Sequence, residues 1–245
     1  MQATQLFTVL DTVDSTNNYA MGQVHAGLAR HGAGWFARVQ TAGKGQRGKS
    51  WAAEPGLNIA LSVVVQPAFV SIQQPFAMSA AVAAVCFDFF NGYAGAGTAI
   101  KWPNDIYFGD RKAGGILIEN IFQGSDWKWA VAGMGININQ MAFNDHLKNA
   151  VSLKEISNKE YDVEQLAREL HALLIERLSD PQFMQKERLL DHYNTHLYKR
   201  NQTVKLKREN MVFETTIRGV TGNGQLITED VVERHFDFGS VEWLL

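Results

Sequence analysis

From residue 6 the run Leu-Phe-Thr-Val-Leu-Asp-Thr-Val alternates in the way a half-buried strand does. It gives way at Asp14-Ser15-Thr16-Asn17, side chains whose oxygens cap helices, so a helix is expected over about 16–26. Trp35 to Gln40 is a second strand and runs straight into Thr41 to Trp51, where glycines and cations signal a loop. Leu57 to Val65 alternates and then turns continuously apolar, a core strand, and the alanine-rich stretch from Ser71 to Asn91 predicts a long helix. Three further strand-like runs follow, 99–108, 115–122 and 128–139. Gly109-Asp110-Arg111 joins the first two and Gly124-Ser125-Asp126 the last two, which makes them antiparallel neighbours. Helical periodicity returns over 163–178 and again over 181–197, with Pro181 acceptable in a first turn. After Lys199-Arg200-Asn201 the pattern shortens to five strands, 204–206, 212–220, 225–229, 235–238 and 241–245.

The order of elements predicts an α+β protein with a mixed, mainly antiparallel sheet and a boundary near residue 198. Residues 1–198 form the larger domain and 199–245 a small SH3-like or OB-like barrel, the alternative being a flat sheet docked on the first domain. The chain of 245 residues is 46% hydrophobic and 20% charged, which suits one sizeable core and excludes disorder as the main state. Its 23 basic and 25 acidic residues give a net charge of -2, so non-specific nucleic-acid binding is not expected and any anion site is local. The single cysteine, Cys86, sits in an apolar run and reads as a core thiol. With no signal peptide and no apolar run near the roughly 20 residues of a membrane span, a cytoplasmic protein is expected.

Three segments carry candidate chemistry. The loop from Gly43 to Trp51 offers backbone N–H groups and the cations Lys44, Arg47 and Lys49, a cradle for phosphate or carboxylate, or else a solvated turn. Lys101-Trp102-Pro103-Asn104-Asp105 ends one strand and Lys112-Ala113-Gly114-Gly115 begins the next. A hairpin would gather both lysines at one end of the sheet with oxygen ligands for Mg²⁺ between them, unless the segment is a plain surface turn. In Gly133-Met134-Gly135-Ile136-Asn137 two glycines interrupt an apolar strand, which marks a bulge or a ligand pressed on the backbone, and Asn137 offers the donor and acceptor that an adenine edge needs. The histidines are scattered without zinc spacing, and His192 and His196 read as part of an ordinary amphipathic helix face.

Taken in order, Asp14-Ser15-Thr16-Asn17, Gln40-Thr41-Ala42-Gly43 with the basic loop to Trp51, Lys101-Trp102-Pro103-Asn104-Asp105, Lys112 with Gly114-Gly115-Ile116-Leu117, and Gly135-Ile136-Asn137 resemble the biotin protein ligases over nearly the whole chain. The resemblance implies the class II synthetase-like catalytic fold of the biotin and lipoate ligases with a C-terminal SH3-like barrel. It implies that ATP activates biotin as biotinyl-5'-AMP, which is then transferred to a lysine of the biotin carboxyl carrier protein of acetyl-CoA carboxylase. Carried over residue by residue, it assigns biotin to Ser15, Thr16, Asn17, Gln40, Gly43, Lys44, Trp51, Lys112, Gly114 and Gly115. ATP falls to Arg47, Lys49, Lys101, Asn104 and Asn137, the charge developing in catalysis to Lys112, Arg47 and Lys44, and either Mg²⁺ or the carrier amine's proton to Asp105. Where the family loop commonly has arginines, this chain has Lys44, Gln46 and Lys49, and Gln46 loses the charge altogether. The chain opens at the catalytic segment without the winged-helix segment of the repressor relatives, so no DNA partner is expected. Exposed strand edges allow a sheet-extending homodimer. Lipoate ligases and octanoyltransferases share the fold, but Ser15, Thr16 and Gln40 suit a ureido ring better than a dithiolane; a non-enzymatic adaptor is the remaining alternative.

Overall fold

The structure is a computed structural model and describes residues 6–67, 75–144, 147 and 149–244. Its larger sheet has seven strands: β1 (Phe7–Val13), β2 (Gly34–Gln40), β3 (Asn58–Val65), β4 (Thr98–Lys101), β5 (Asp105–Phe108), β6 (Arg111–Gln123) and β7 (Asp126–Asn137). They lie in the order β1-β2-β3-β7-β6-β5-β4, with β1 and β2 parallel and every other neighbouring pair antiparallel. Helix α1 (Thr16–His25) follows β1. Helix α2 (Phe76–Ala94) follows β3, and α3 (Leu153–Ser157), α4 (Val163–Ser179) and α5 (Lys186–Thr195) follow β7. The second sheet is wholly antiparallel: β8 (Thr203–Arg208), β9 (Met211–Val220), β10 (Leu226–Glu229), β11 (Glu233–Phe236) and β12 (Glu242–Leu244), ordered β11-β10-β9-β8-β12.

Strand alternation divides the larger sheet into two chemically different faces. Ile59, Leu61, Val63 and Val65 of β3, with Ala132, Met134 and Ile136 of β7, point to the face covered by α2 and α4. That core continues through Leu189 and Tyr193 of α5 into Leu206, Ile217 and Leu226 of the second sheet. On the opposite face Val64, Val131, Trp35 and Ala20 form a smaller cluster with α1. Further along that second face the in-register positions are Ala60, Ser62, Gly133 and Gly135. These side chains are too small to fill the space above the sheet, and a cavity results.

Several elements differ from the sequence expectation. The run 99–108 is two strands rather than one, because Trp102-Pro103-Asn104 forms a turn with a cis peptide before Pro103 and Lys101 pairs with Asp105 across it. Helix α2 begins at Phe76, after Pro75, and the expected start at Ser71 lies outside the described residues. Its 19 residues make it long and apolar enough to cross a membrane by length and composition, contrary to the reading of the apolar runs, but it is the buried helix of the core. The second amphipathic helix begins at Lys186 instead of Pro181, which opens a short turn, and α3 was not foreseen. At the sheet's β4 edge the Ile100 N–H donates to the His196 carbonyl and the Tyr198 N–H to the Ile100 carbonyl, both at 2.8 Å. That edge is covered; β1 forms the other one.

Candidate active site

The cavity above Ala60, Gly133 and Gly135 measures about 830 Å³ and is lined by Ser15, Thr16, Asn17, Gln40, Lys44, Arg47, Lys49, Trp51, Lys101, Asn104, Asp105, Lys112, Gly115 and Asn137. Segments more than 100 residues apart therefore converge. At one end, α1 begins without a capping bond from the Ser15 side chain. Instead Gln40 Oε1, at the end of β2, accepts from the Thr16 N–H at 2.8 Å and from its hydroxyl at 3.1 Å. Ser62 Oγ lies 2.7 Å from Thr16 Oγ1 and 2.5 Å from Asn17 Oδ1, and all these polar groups other than Gln40 are buried. The two hydroxyl protons of Thr16 and Ser62 serve three such contacts, and the network holds its members in one geometry.

At the other end, Lys112 Nζ donates to Asp105 Oδ1 at 2.7 Å, so the hairpin places these two side chains together as expected. Lys101 donates to the Tyr107 hydroxyl at 3.0 Å and lies 5.4 Å from the Trp243 ring centre. Burial pushes its ammonium down to about 8, against the pull of Asp105 and with the help of Lys112 and Lys49. Among the described residues no group of three or more His, Cys, Asp or Glu side chains is placed to hold a metal. Asp105, already paired with a lysine, fits Mg²⁺ only as one ligand of an ion carried in by nucleotide phosphates.

The 43–51 loop is a small hairpin. Lys44 bridges Ser50, the Trp51 N–H donates to the Gly43 carbonyl at 2.8 Å, and the turn at 46–48 holds Arg47 at φ 56°. Arg47 Nη1 donates to the Gly239 carbonyl at 3.2 Å and its guanidinium stands 5.6 Å from the Phe238 ring centre, so the loop leans on the second sheet. Lys44 Nζ faces Glu119 at 3.7 Å. Gln46 Nε2 donates to the Ile116 carbonyl at 3.4 Å, while Gln46 Oε1 and Trp51 Nε1 are buried without a hydrogen-bond partner.

Several expected ligand contacts have another job. Gly43 does not line the cavity: a Cβ there would fall 2.4 Å from the Trp51 carbonyl oxygen, so this glycine lets the hairpin close. Gly114 belongs to the core face, where a Cβ would meet Ile136 Cδ1 at 2.8 Å. Asn137 lines the cavity, but its amide nitrogen donates to the carbonyls of Lys112 and Val151 at 3.3 and 3.2 Å, which fixes the Lys112 backbone and leaves no free donor for adenine. Asn104 donates to the Ile116 carbonyl and ties the 102–104 turn to β6. The sequence reading missed Ser62 and Glu119, and also Glu209, Phe238 and Trp243, which line the cavity from the second sheet and its turns. Ser62 was discoverable as the lone hydroxyl in the apolar run of β3.

Residues 9–137 match the Biotin/lipoate A/B protein ligase family. The chain is 28% identical over 232 residues to the bifunctional ligase/repressor BirA of Escherichia coli, covering 90% of this chain and 68% of that protein. It is 33% identical over 186 residues to the biotin–[acetyl-CoA-carboxylase] ligase of Mycobacterium tuberculosis, covering 73% and 67%. In other ligase/repressors the matched part falls to 39–40% of their length. The structure superposes on the biotin protein ligase of Aquifex aeolicus solved with biotin and ATP, with a TM-score of 0.79 over 96% of this chain and 97% of that one at 20% identity, a likeness of fold. With more than half its length matched to the family and the same fold throughout, the chain belongs to the biotin/lipoate A/B protein ligases.

Proposed function

We propose that the chain is an ATP-dependent biotin–protein ligase that activates biotin as biotinyl-5'-AMP and passes it to a lysine of the biotin carboxyl carrier protein of acetyl-CoA carboxylase. The observation that carries this reading is the juxtaposition, in one cavity, of the uncharged polar group Ser15, Thr16 and Gln40 with the cations Lys112, Lys101, Lys49 and Arg47. A ureido ring needs paired donors and acceptors, since each group left unpaired in a closed site costs about 1–3 kcal/mol. A carboxylate meeting a triphosphate needs positive charge, first to bring two anions together and then to bear the charge that develops on phosphorus.

In the first step a biotin carboxylate oxygen bonds to the α-phosphorus and pyrophosphate leaves; Lys112, held by Asp105, faces the reacting anions. In the second, the neutral amine of the carrier lysine attacks the acyl carbon, AMP leaves and the nitrogen's proton passes to solvent, so no protein nucleophile is required. Asp105 meanwhile orients Lys112, which favours a positioning role over that of a free base. Mg²⁺ arriving with ATP would neutralise phosphate charge, with Asp105 the carboxylate nearest to hand. We assign residues 1–198 to catalysis and 199–245 to the wall that completes the cavity, and we place any self-association at the β1 edge, because β4 is covered. The lone cysteine, buried in α2, supports a reducing cytoplasmic setting. The test is mass spectrometry of a carrier domain incubated with the protein, ATP, Mg²⁺ and either biotin or lipoate. Addition of one biotin to a single lysine is expected, and preferential addition of lipoate would overturn the reading.

A further inference from the structure

Glu119 stands on β6 opposite Val131, on the cavity face of the sheet, and is the meeting point of two ligand-facing segments. Its Oε2 accepts from Asn17 Nδ2 at 2.8 Å, and its Oε1 lies 3.7 Å from Lys44 Nζ. Asn17 is fixed on its other side by Ser62 and sits in a cradle that only glycine provides, since a Cβ on Gly133 would fall 2.2 Å from Asn17 Oδ1. Ser62 in turn touches Thr16, and Thr16 is held by Gln40. One continuous polar chain therefore runs from Gln40 through Thr16, Ser62, Asn17 and Glu119 to Lys44. Five of its members belong to the sheet and the start of α1. Lys44 alone belongs to the hairpin, next to Gly43 and paired across to Ser50.

We propose that Glu119 is a positioning residue whose two carboxylate oxygens set the 43–51 hairpin in register with the Thr16–Gln40 end of the cavity. One oxygen is committed to a buried amide, which fixes the carboxylate; the other then offers Lys44 a charge at a defined place. The Lys44–Glu119 pair is partly exposed, at 43% and 29%, and long, so its share is modest, an equilibrium bias of no more than about fivefold by the usual range for exposed pairs. A bias of this size suits a loop that opens and closes at each turnover, whereas a buried, tight pair would hold it shut. The consequence for biotin rests on the ligase reading, but the register itself belongs to the free chain.

Glu119→Gln keeps an acceptor for Asn17 and removes the charge that Lys44 feels. In ligand-free protein, amide hydrogen exchange at Gly45 and Trp51, whose N–H groups close the hairpin, should quicken about two- to fivefold in Glu119→Gln and in Lys44→Gln. The double variant should go no further than either single one. Steady-state kinetics of Glu119→Gln should show a KM for biotin raised by a similar factor with kcat changed less than twofold. Parental exchange in both single variants, multiplying effects in the double, or a fall in kcat with KM unchanged would each overturn the assignment. If Glu119→Gln fails to fold, exchange in Lys44→Gln decides by the same criterion. If exchange behaves as expected while the parent takes no biotin, the ligase reading fails and the positioning role stands.

Discussion

At the scale of single residues the cavity works through lysines whose surroundings differ. Lys112 is held by Asp105 at 2.7 Å, whereas Lys101 is packed between Tyr107 and Trp243 and burial pushes its ammonium down to about 8. Lys112→Ala removes the central cation and leaves Asp105 adding negative charge beside the phosphates. Adenylate formation in a single turnover should fall at least about 10²-fold, ~3 kcal/mol, with an unchanged circular dichroism spectrum. A near-parental rate would place the central cation elsewhere. For Lys101 the sign is fixed by the downward shift: the ammonium attracts ATP below pH 8 and is lost above it, so the KM for ATP should climb between about pH 8 and 9.5 and flatten in Lys101→Met. Stability should move the other way. Between about 8 and the ordinary lysine value the unfolded chain binds the proton that the folded chain has lost, so the lysine's contribution to stability rises with pH there. A pH-independent KM for ATP would show that Lys101 does not face the triphosphate.

The elements explain why much of this was legible in the chain and where legibility stopped. β1, β2, β3, α4 and the five short strands follow from alternation, apolar runs and helical spacing, because each commits a face to a core, whereas α1 was read from the oxygen-bearing side chains at 14–17, although the Ser15 side chain makes no capping bond. The break at Trp102–Asn104 was missed because an apolar-rich stretch reads through a proline. Ser62 and Glu119 were missed because their shared partner, Asn17 of α1, lies 45 and 102 residues away and only the packing of α1 on the sheet brings them together. The glycines were recognised as a group but not sorted. Gly135 lies under Trp51, where a Cβ would stand 2.5 Å from Cε2, while Gly114 packs on the opposite face. Gly135→Ala should therefore push the indole out of place and weaken biotin by about 1–3 kcal/mol, read by calorimetry, with a smaller effect on ATP. In the hairpin, Gln46 carries no charge and its Oε1 is buried without a partner. Replacing it with arginine should slow escape of biotinyl-AMP by up to tenfold if the new charge-assisted contact is worth ~1.4 kcal/mol. Stopped-flow dissociation of pre-formed adenylate checks this, and an unchanged or faster escape would mean that position 46 points away from the phosphate.

Over the whole molecule the two sheets share one core, and the second sheet closes the cavity that the first opens. Trp102 Nε1 donates to the Gly224 carbonyl at 2.9 Å, Arg47 reaches Gly239, and Trp243 covers Lys101. The C-terminal sheet is thus part of the site's wall. The activation half-reaction, biotin and ATP giving biotinyl-AMP and pyrophosphate in a reversible step, is the central claim. Isotope exchange between labelled pyrophosphate and ATP measures it without any carrier protein. Exchange that needs biotin, that neither lipoate nor octanoate supports and that is lost in Lys112→Ala is the predicted result. Exchange that proceeds without biotin, or that lipoate supports better, would contradict the account.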